Sequence, residues 1–303
     1  MRSSIPKVWL AVTLIAIGVP ARAIACSQCL CGTPFPADVL GGVVPLQLTY
    51  GLEERYLSKS NGLEDESGEE RQNEHRVAGF AIWRPIDRLA LLGRLPYNFE
   101  EIVTQPEGAA SSAERARGFG DAELLALVGL QNIAGPRMTL GLVLGVTAPT
   151  GSSELEDDQG ERLEAHLQPG TGAWSGTTGL DAAWAAGSGT VTLGILGRLN
   201  GENSHGYHYG DALLYNAGFV SRPWRRVQGL IQINGRSAER DRETPDVFDE
   251  NSGGTVTYAA PGLRWDTGIG LAAEGRVQIP FQQSLHGEQT EHATARLMLS
   301  VIP

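Results

Sequence analysis

Thr190-Val191-Thr192-Leu193-Gly194-Ile195-Leu196-Gly197-Arg198-Leu199-Asn200 alternates apolar and polar side chains. Val191, Leu193, Ile195 and Leu199 fall on one face, and Thr190, Thr192, Arg198 and Asn200 on the other. A period of two is that of a β-strand, because successive Cβ atoms point to opposite sides of the pleat. The same rhythm recurs in paired runs to the end of the chain, joined alternately by tight turns and by long, often acidic loops. That is how a transmembrane β-barrel is written in sequence. Beyond the leader no segment reaches the roughly 18 consecutive apolar residues of a spanning helix, so a membrane would be crossed by strands.

The turns fix the expected topology. Trp83-Arg84-Pro85-Ile86-Asp87, Ile133-Ala134-Gly135-Pro136, Ala186-Gly187-Ser188, Pro223-Trp224-Arg225 and Asp266-Thr267-Gly268 are short, rich in Gly, Pro and Asp, and flanked by alternating runs. They make five hairpins, hence ten strands. Long polar stretches near 58–74, 104–117, 150–170, 201–209, 238–252 and 281–290 need two strands more. Twelve strands are therefore predicted, at about 43–57, 74–85, 88–103, 119–132, 136–149, 171–185, 189–200, 210–222, 226–237, 253–265, 268–280 and 290–302. An even count closes antiparallel, and short turns belong on the periplasmic side. Both termini are then periplasmic in a bacterial outer membrane, with the loop at 58–74 facing the environment.

The ends and the charge add bounds. Residues 1–23 carry Arg2 and Lys7, an apolar stretch from Val8 to Val19, Pro20, and the small residues Ala21 and Ala23, the layout of a secretory signal peptide. Cleavage after Ala23 is the main reading; Ala23-Ile24-Ala25 before Cys26 also reads as a degenerate lipobox that would acylate Cys26. What remains divides into a periplasmic segment, 24–42, and one β domain, 43–303. The formal charge of -11 becomes about -14 without Arg2, Lys7 and Arg22, which argues against a nucleic-acid partner. All three cysteines lie in Cys26-Ser27-Gln28-Cys29-Leu30-Cys31, so no disulfide joins distant strands and stability must come from closure.

Closure leaves no unpaired edge in hydrocarbon, provided that the outer face is apolar. Leu46, Leu48 and Tyr50, then Leu140, Leu142, Leu144 and Val146, then Ile269, Leu271 and Val277, then Ala295, Leu297, Leu299 and Val301 supply that face. Trp83, Trp174, Trp184, Trp224 and Trp265 lie near strand ends, where rings anchor at headgroup level. The opposite parity carries Arg94, Glu123, Arg198, Gln232, Arg236, Glu274, Arg276 and Arg296, the residues expected to line the lumen, with Gln47, Thr49, Glu53, Thr139, Gln228, Asn234, Gln278 and His292. Eight strands enclose only side chains and sixteen an aqueous channel. With twelve, these charges either line a narrow solute path or pair across the lumen and plug it.

Several stretches carry a family resemblance: Gly118-Phe119-Gly120-Asp121, Gly145-Val146-Thr147-Ala148-Pro149-Thr150-Gly151, Gly210-Asp211, and Ser252-Gly253-Gly254-Thr255 through Pro261-Gly262 to Val277-Gln278-Ile279-Pro280. Over about residues 43–302 the chain resembles the outer-membrane proteins related to the MetA pathway of phenol degradation. The resemblance implies a barrel of about twelve strands that transports small solutes, with aromatic or hydrophobic compounds first. The chain departs from outer-membrane habit in ending Leu297-Met298-Leu299-Ser300-Val301-Ile302-Pro303 without a terminal aromatic, and the resemblance does not explain its cysteines.

The cysteines invite three readings. C-x-x-C-x-C thiolates suit a soft metal such as Cu(I) or Zn, but three ligands fall short of a closed zinc site. No His follows Cys29 for haem attachment, and an iron–sulfur cluster needs a fourth thiol. A local disulfide with the third thiol free or acylated is the plainer chemistry in an oxidising compartment. These residues leave open a closed barrel that anchors a metal-binding or redox segment for a periplasmic metal-carrier or redox protein. Elsewhere, Asn203-Ser204-His205-Gly206-Tyr207-His208-Tyr209 could hold a metal or a ring, although a solvated external loop is the simpler reading. His166, His286 and His292 have no evident partner. The acidic residues of 63–74 and 154–161 lack the ordered spacing of a calcium loop and read as solvated surface. Catalysis is not expected: there is no Gly-x-Ser-x-Gly elbow, and adjacent Ser204 and His205 would point apart in extended chain. The partners expected are outer-membrane lipid, lipopolysaccharide and a small solute.

Overall fold

The computed structural model describes residues 47–62, 68–108, 110–130, 138–244 and 246–302. The leader, the segment 24–42 with Cys26, Cys29 and Cys31, and the turn at 133–136 lie outside the described residues. Twelve strands form the ring: β1 Gln47–Gly62, β2 Gly68–Ile86, β3 Leu89–Pro106, β4 in two segments (Ser112–Phe119 and Ala122–Leu130), β5 Met138–Ala148, β6 Ser175–Ala186, β7 Gly189–Asn200, β8 Ala212–Ser221, β9 Val227–Ala238, β10 Gly254–Asp266, β11 Leu271–Leu285, and β12 in two segments (Thr290–Glu291 and Thr294–Val301). Each pairs antiparallel with its chain neighbours, and β1 pairs with both β2 and β12. That second pairing closes the barrel and removes the sheet edge.

The alternation that marked the strands sorts their side chains. Leu193, Ile195 and Leu199 of β7 are exposed while Thr192 and Arg198 are buried. Leu144, Val146, Leu180, Ile231, Ile233, Leu263, Val277, Leu297 and Leu299 continue an apolar outer belt. On β3 the belt runs from Leu89 to Phe99, about the length with which a tilted strand crosses hydrocarbon. Trp83, Trp184 and Trp265 stand exposed at the rim of short turns, and Tyr97, Phe99 and Phe119 pack together toward the opposite rim.

Several expected boundaries move, the most at β2 and β4. Strand β2 begins at Gly68 instead of 74, and the supposed loop at 104–117 contains Ser112–Phe119, paired with β3 from Thr104↔Ser112 to Tyr97↔Phe119. Here the outward residues include Arg71, His75, Glu101, Arg115 and Arg117, because this wall rises past the apolar belt. Outside hydrocarbon both faces can be polar, so the apolar alternation fades while the hydrogen-bond ladder continues. In β11, Pro280 opposes Tyr258 and Gln282 opposes Thr257, so Phe281 is an extra residue in a bulge. Pro280 has no N–H to give the ladder, and a bulge tolerates that loss.

The expected polar lumen is correct for only part of the interior. Phe80, Ile82, Leu92, Leu125, Leu127 and Val143 form a buried apolar cluster along β2 to β5 toward the short-turn rim. These strands are apolar on both faces there, as in Leu91-Leu92, Leu124-Leu125 and Leu142-Val143-Leu144, so hydrocarbon lies outside and a packed core inside.

Candidate functional site

The loop after β5 closes the mouth on the long-loop side. Its base is built on Asp121, between the two segments of β4, whose carboxylate accepts the backbone N–H of Gly151 (2.9 Å) and of Thr171 (2.8 Å). Gly151 and Gly170 pass so close that a Cβ on either would lie 2.7 Å from the other's backbone. The motifs Gly118-Phe119-Gly120-Asp121 and Pro149-Thr150-Gly151 thus anchor one loop. Within it Leu155 and Leu163 pair through their backbones, and buried Gln168 accepts from Leu155 N while donating to the carbonyls of Leu155 and Leu163. Leu163 and Leu167 pack on Ile102 of β3 and Ala116 of β4. A 3-10 turn, Ala165–Leu167, forms the tip.

The tip is held from both sides of the mouth. Gln72 of β2 donates to the His166 carbonyl (3.0 Å), and Asn98 of β3 donates to that of Pro169 (2.9 Å). From the β7–β8 loop, the Tyr209 hydroxyl donates to the Ala165 carbonyl (2.8 Å). From the β9–β10 loop, Asp249 meets the His166 ring (2.9 Å). His166, Tyr207 and Tyr209 form an edge-to-face aromatic group, with the tyrosine centroids 4.8 Å apart. The expectation of a solvated 203–209 loop is therefore overturned: Asn203, Tyr207 and Tyr209 are buried, because the folded-in loop supplies them with hydrogen-bond partners and apolar contact. Likewise His166, which had no evident partner in sequence, sits at the junction of three loops, and Glu74, expected among solvated acids, is buried on β2.

A cavity of about 660 Å³ lies between this loop and the tall β1–β3 wall, lined among others by Lys59, Gln72, Ile102, Arg162, His166 and Tyr207. Burial and the neighbouring Glu70 push the Glu164 carboxyl upward. Burial also works to raise Asp249, yet the hydrogen bond and charge of His166 hold it below the usual carboxylate range. Deeper, between Gln72, Glu74, Arg236 and Glu291, a pocket of about 30 Å³ has room for little more than a water.

Below the mouth the interior is filled with ion pairs. All eight residues expected in the lumen are buried on strands: Arg94, Glu123, Arg198, Gln232, Arg236, Glu274, Arg276 and Arg296. Arg94 meets Glu123 (2.9 Å), Arg276 meets Glu274 (2.7 Å), Arg236 meets Glu291, and Arg296 meets Glu53 (2.6 Å). Cross-strand register puts Arg76, Arg55, Arg296 and Arg276 side by side across β2, β1, β12 and β11. Glu53, Glu74 and Glu274 form ion pairs with that row. Asp181 is the contrast: it is buried, and neither oxygen has a hydrogen-bond partner among the described residues.

Sequence reasoning missed Gln168 and Asp241, and gave Asp121 and Tyr209 no part in holding the mouth. The only available signal was local, the Gly-Asp and Pro-Thr-Gly motifs at strand ends. A substitution checks the loop junction. A Cβ at Gly210 would overlap the backbone carbonyl of Glu239, so Gly210→Ala should force the β7–β8 and β9–β10 loops apart. We expect a loss of about 1–3 kcal/mol, read from urea unfolding of the detergent-folded barrel.

No protein-family model matches the chain, and no curated protein sequence matches it. Solved structures do. An outer membrane channel from Pseudomonas putida F1 superposes with a TM-score of 0.67 at 12% identity, covering 89% of this chain and 100% of that one. The transport unit of the autotransporter AIDA-I from Escherichia coli gives a TM-score of 0.50 at 10% identity, covering 86% and 92%. At such identities the likeness is one of fold, and it agrees with the twelve-stranded closed barrel described above.

Proposed function

We propose that the chain is a passive outer-membrane channel for small solutes, non-catalytic, with both termini and the short-turn rim in the periplasm and the loop-covered mouth facing outward. The observation that carries this reading is the mouth itself: a cavity of about 660 Å³ between the tall wall and a loop held by hydrogen bonds to strands and neighbouring loops. Such a loop can move without breaking the barrel. His166 and Tyr207 line this cavity, and their rings suit small aromatic or hydrophobic solutes, since rings pack well edge to face. The fold shared with a bacterial outer membrane channel supports the reading, as does the phenol-degradation resemblance. Inside, Arg94, Glu123, Arg198, Gln232, Arg236, Glu274, Arg276 and Arg296 would line the path once the ion pairs rearrange. Outside, the apolar belt would meet lipid, and Arg115 and Arg117 above it would meet lipopolysaccharide phosphates.

A second reading rests on the packed interior: a closed barrel that anchors Cys26, Cys29 and Cys31 for Cu(I), Zn or a periplasmic redox or metal-carrier protein. Single-channel recording in planar bilayers separates the two. Wild-type protein should give small, infrequent steps, and a variant with residues 154–167 replaced by a short Gly-Ser link should give discrete steps several-fold larger. Silence from both proteins, each verified as folded, would reject the channel and leave the thiol segment.

A further inference from the structure

We propose that His166, Tyr207, Asp241 and Asp249 form a binding site for one divalent transition-metal ion, which ties the three outer loops together. The site goes beyond the channel reading and stands whether or not the barrel conducts.

The four side chains come from three separate loops and present their donor atoms to one point. His166 Nε2 lies 2.9 Å from Asp249 Oδ2, 3.7 Å from Asp241 Oδ2 and 3.1 Å from the Tyr207 hydroxyl. That hydroxyl is 3.1 Å from Asp241 Oδ2. The donor atoms of His166, Asp241 and Asp249 all fall within 4.8 Å of one another. A tetrahedral zinc site with bonds of about 2.0–2.2 Å separates its ligands by roughly 3.3–3.6 Å. The observed spacings scatter around that value, so a metal needs only small side-chain shifts.

The orientation of the carboxylates is the stronger argument. Asp241 Oδ1 accepts the Gly210 N–H (2.7 Å), and Asp249 Oδ1 accepts the Asn251 N–H (2.8 Å). Each carboxylate is thus held by one oxygen and turns the other toward the imidazole. Outer hydrogen bonds that fix the ligands in this way are the usual support of a metal centre. Asp241 is fully buried, and a divalent charge would compensate the two carboxylates there. One imidazole with oxygen donors suits a first-row transition ion such as Zn²⁺. On binding, the protons of the His166–Asp249 and Tyr207–Asp241 hydrogen bonds give way to coordination, and any proton released goes to solvent.

The test uses the full mature chain, tag-free, with Cys26, Cys29 and Cys31 all changed to serine so that thiolates cannot supply the signal. Zn²⁺ is titrated into detergent-folded protein against a chromophoric chelator. The expected result is one saturable equivalent with micromolar or tighter affinity, weakened at least about tenfold in His166→Ala and in Asp249→Asn. Both variants keep the Gly210–Asp241 contact, and heat-modifiable gel migration verifies their folding. As a second readout, Zn²⁺ should slow protease cleavage at the exposed turn near Gln159 in the parent and leave His166→Ala unaffected. Absence of a saturable equivalent, or equal affinity in folded His166→Ala and Asp249→Asn, would overturn the site and leave a hydrogen-bonded junction only.

Discussion

Glu53→Gln is expected to destabilise the folded barrel by about 3–5 kcal/mol, the usual cost of removing one partner from a buried ion pair. Glu53 is 3% exposed and lies on β1, one side of the seam where the ring closes. It meets Arg296 of β12 through two nitrogens, at 2.6 and 3.1 Å, and Arg55 of its own strand. Both arginines belong to the row that also contains Arg76 and Arg276, so loss of the carboxylate leaves adjacent buried cations with too little counter-charge. The destabilisation should appear as a lower urea midpoint in detergent or lipid. Glu69→Gln is the matched control. Its pair with Arg71 is about half exposed on both sides, and exposed pairs contribute roughly 0–1 kcal/mol. Equal midpoints for wild type and Glu53→Gln would mean that solvent already screens the row.

Leu144→Arg carries the other large expected effect, a loss of about 2–4 kcal/mol on folding into bilayers. Leu144 is 45% exposed, near the middle of β5, and pairs with Ala126 on one side and Thr178 on the other. An arginine there would sit at membrane depth. Leu271 is equally exposed but begins β11 and pairs with Val301 at the short-turn rim. Leu271→Arg should therefore cost only about 0–1 kcal/mol, since the guanidinium reaches headgroups. Both leucines look alike in sequence, each an apolar residue on the outward parity. Equal folding yields in lipid vesicles would place Leu144 away from the middle of the membrane.

Most of the barrel was legible because a strand repeats its rule every second residue. Lipid on one side and polar interior on the other force that alternation at each position, as in Thr190 to Asn200. The reading failed where one of the two media changed. Past the apolar belt, Arg71, Arg115 and Arg117 point outward, so β2 and β4 run on without an apolar face to announce them. Inside β2 to β5, Phe80, Leu92, Leu125 and Val143 replace polar lumen with packed core, and both parities become apolar. The mouth was scarcely legible. Asp121 is bound to Gly151 and Thr171, and His166 to Asp249, across separations no local pattern encodes.

Arg55, Arg76, Glu74 and Glu291 could not be read as inward charges from the sequence alone, but the class of fold, the number of strands, the outward face and part of the inward charge could. These follow from local periodicity and from turn chemistry, which act between near neighbours. The assembled ring was needed to show that the loop after β5 folds into the mouth, that four arginines stand side by side across the closing seam, and that His166, Tyr207, Asp241 and Asp249 share one point. Those depend on cross-strand register and on which loops converge when the ring closes. Closure is a property of the whole ring, and no single hairpin contains it.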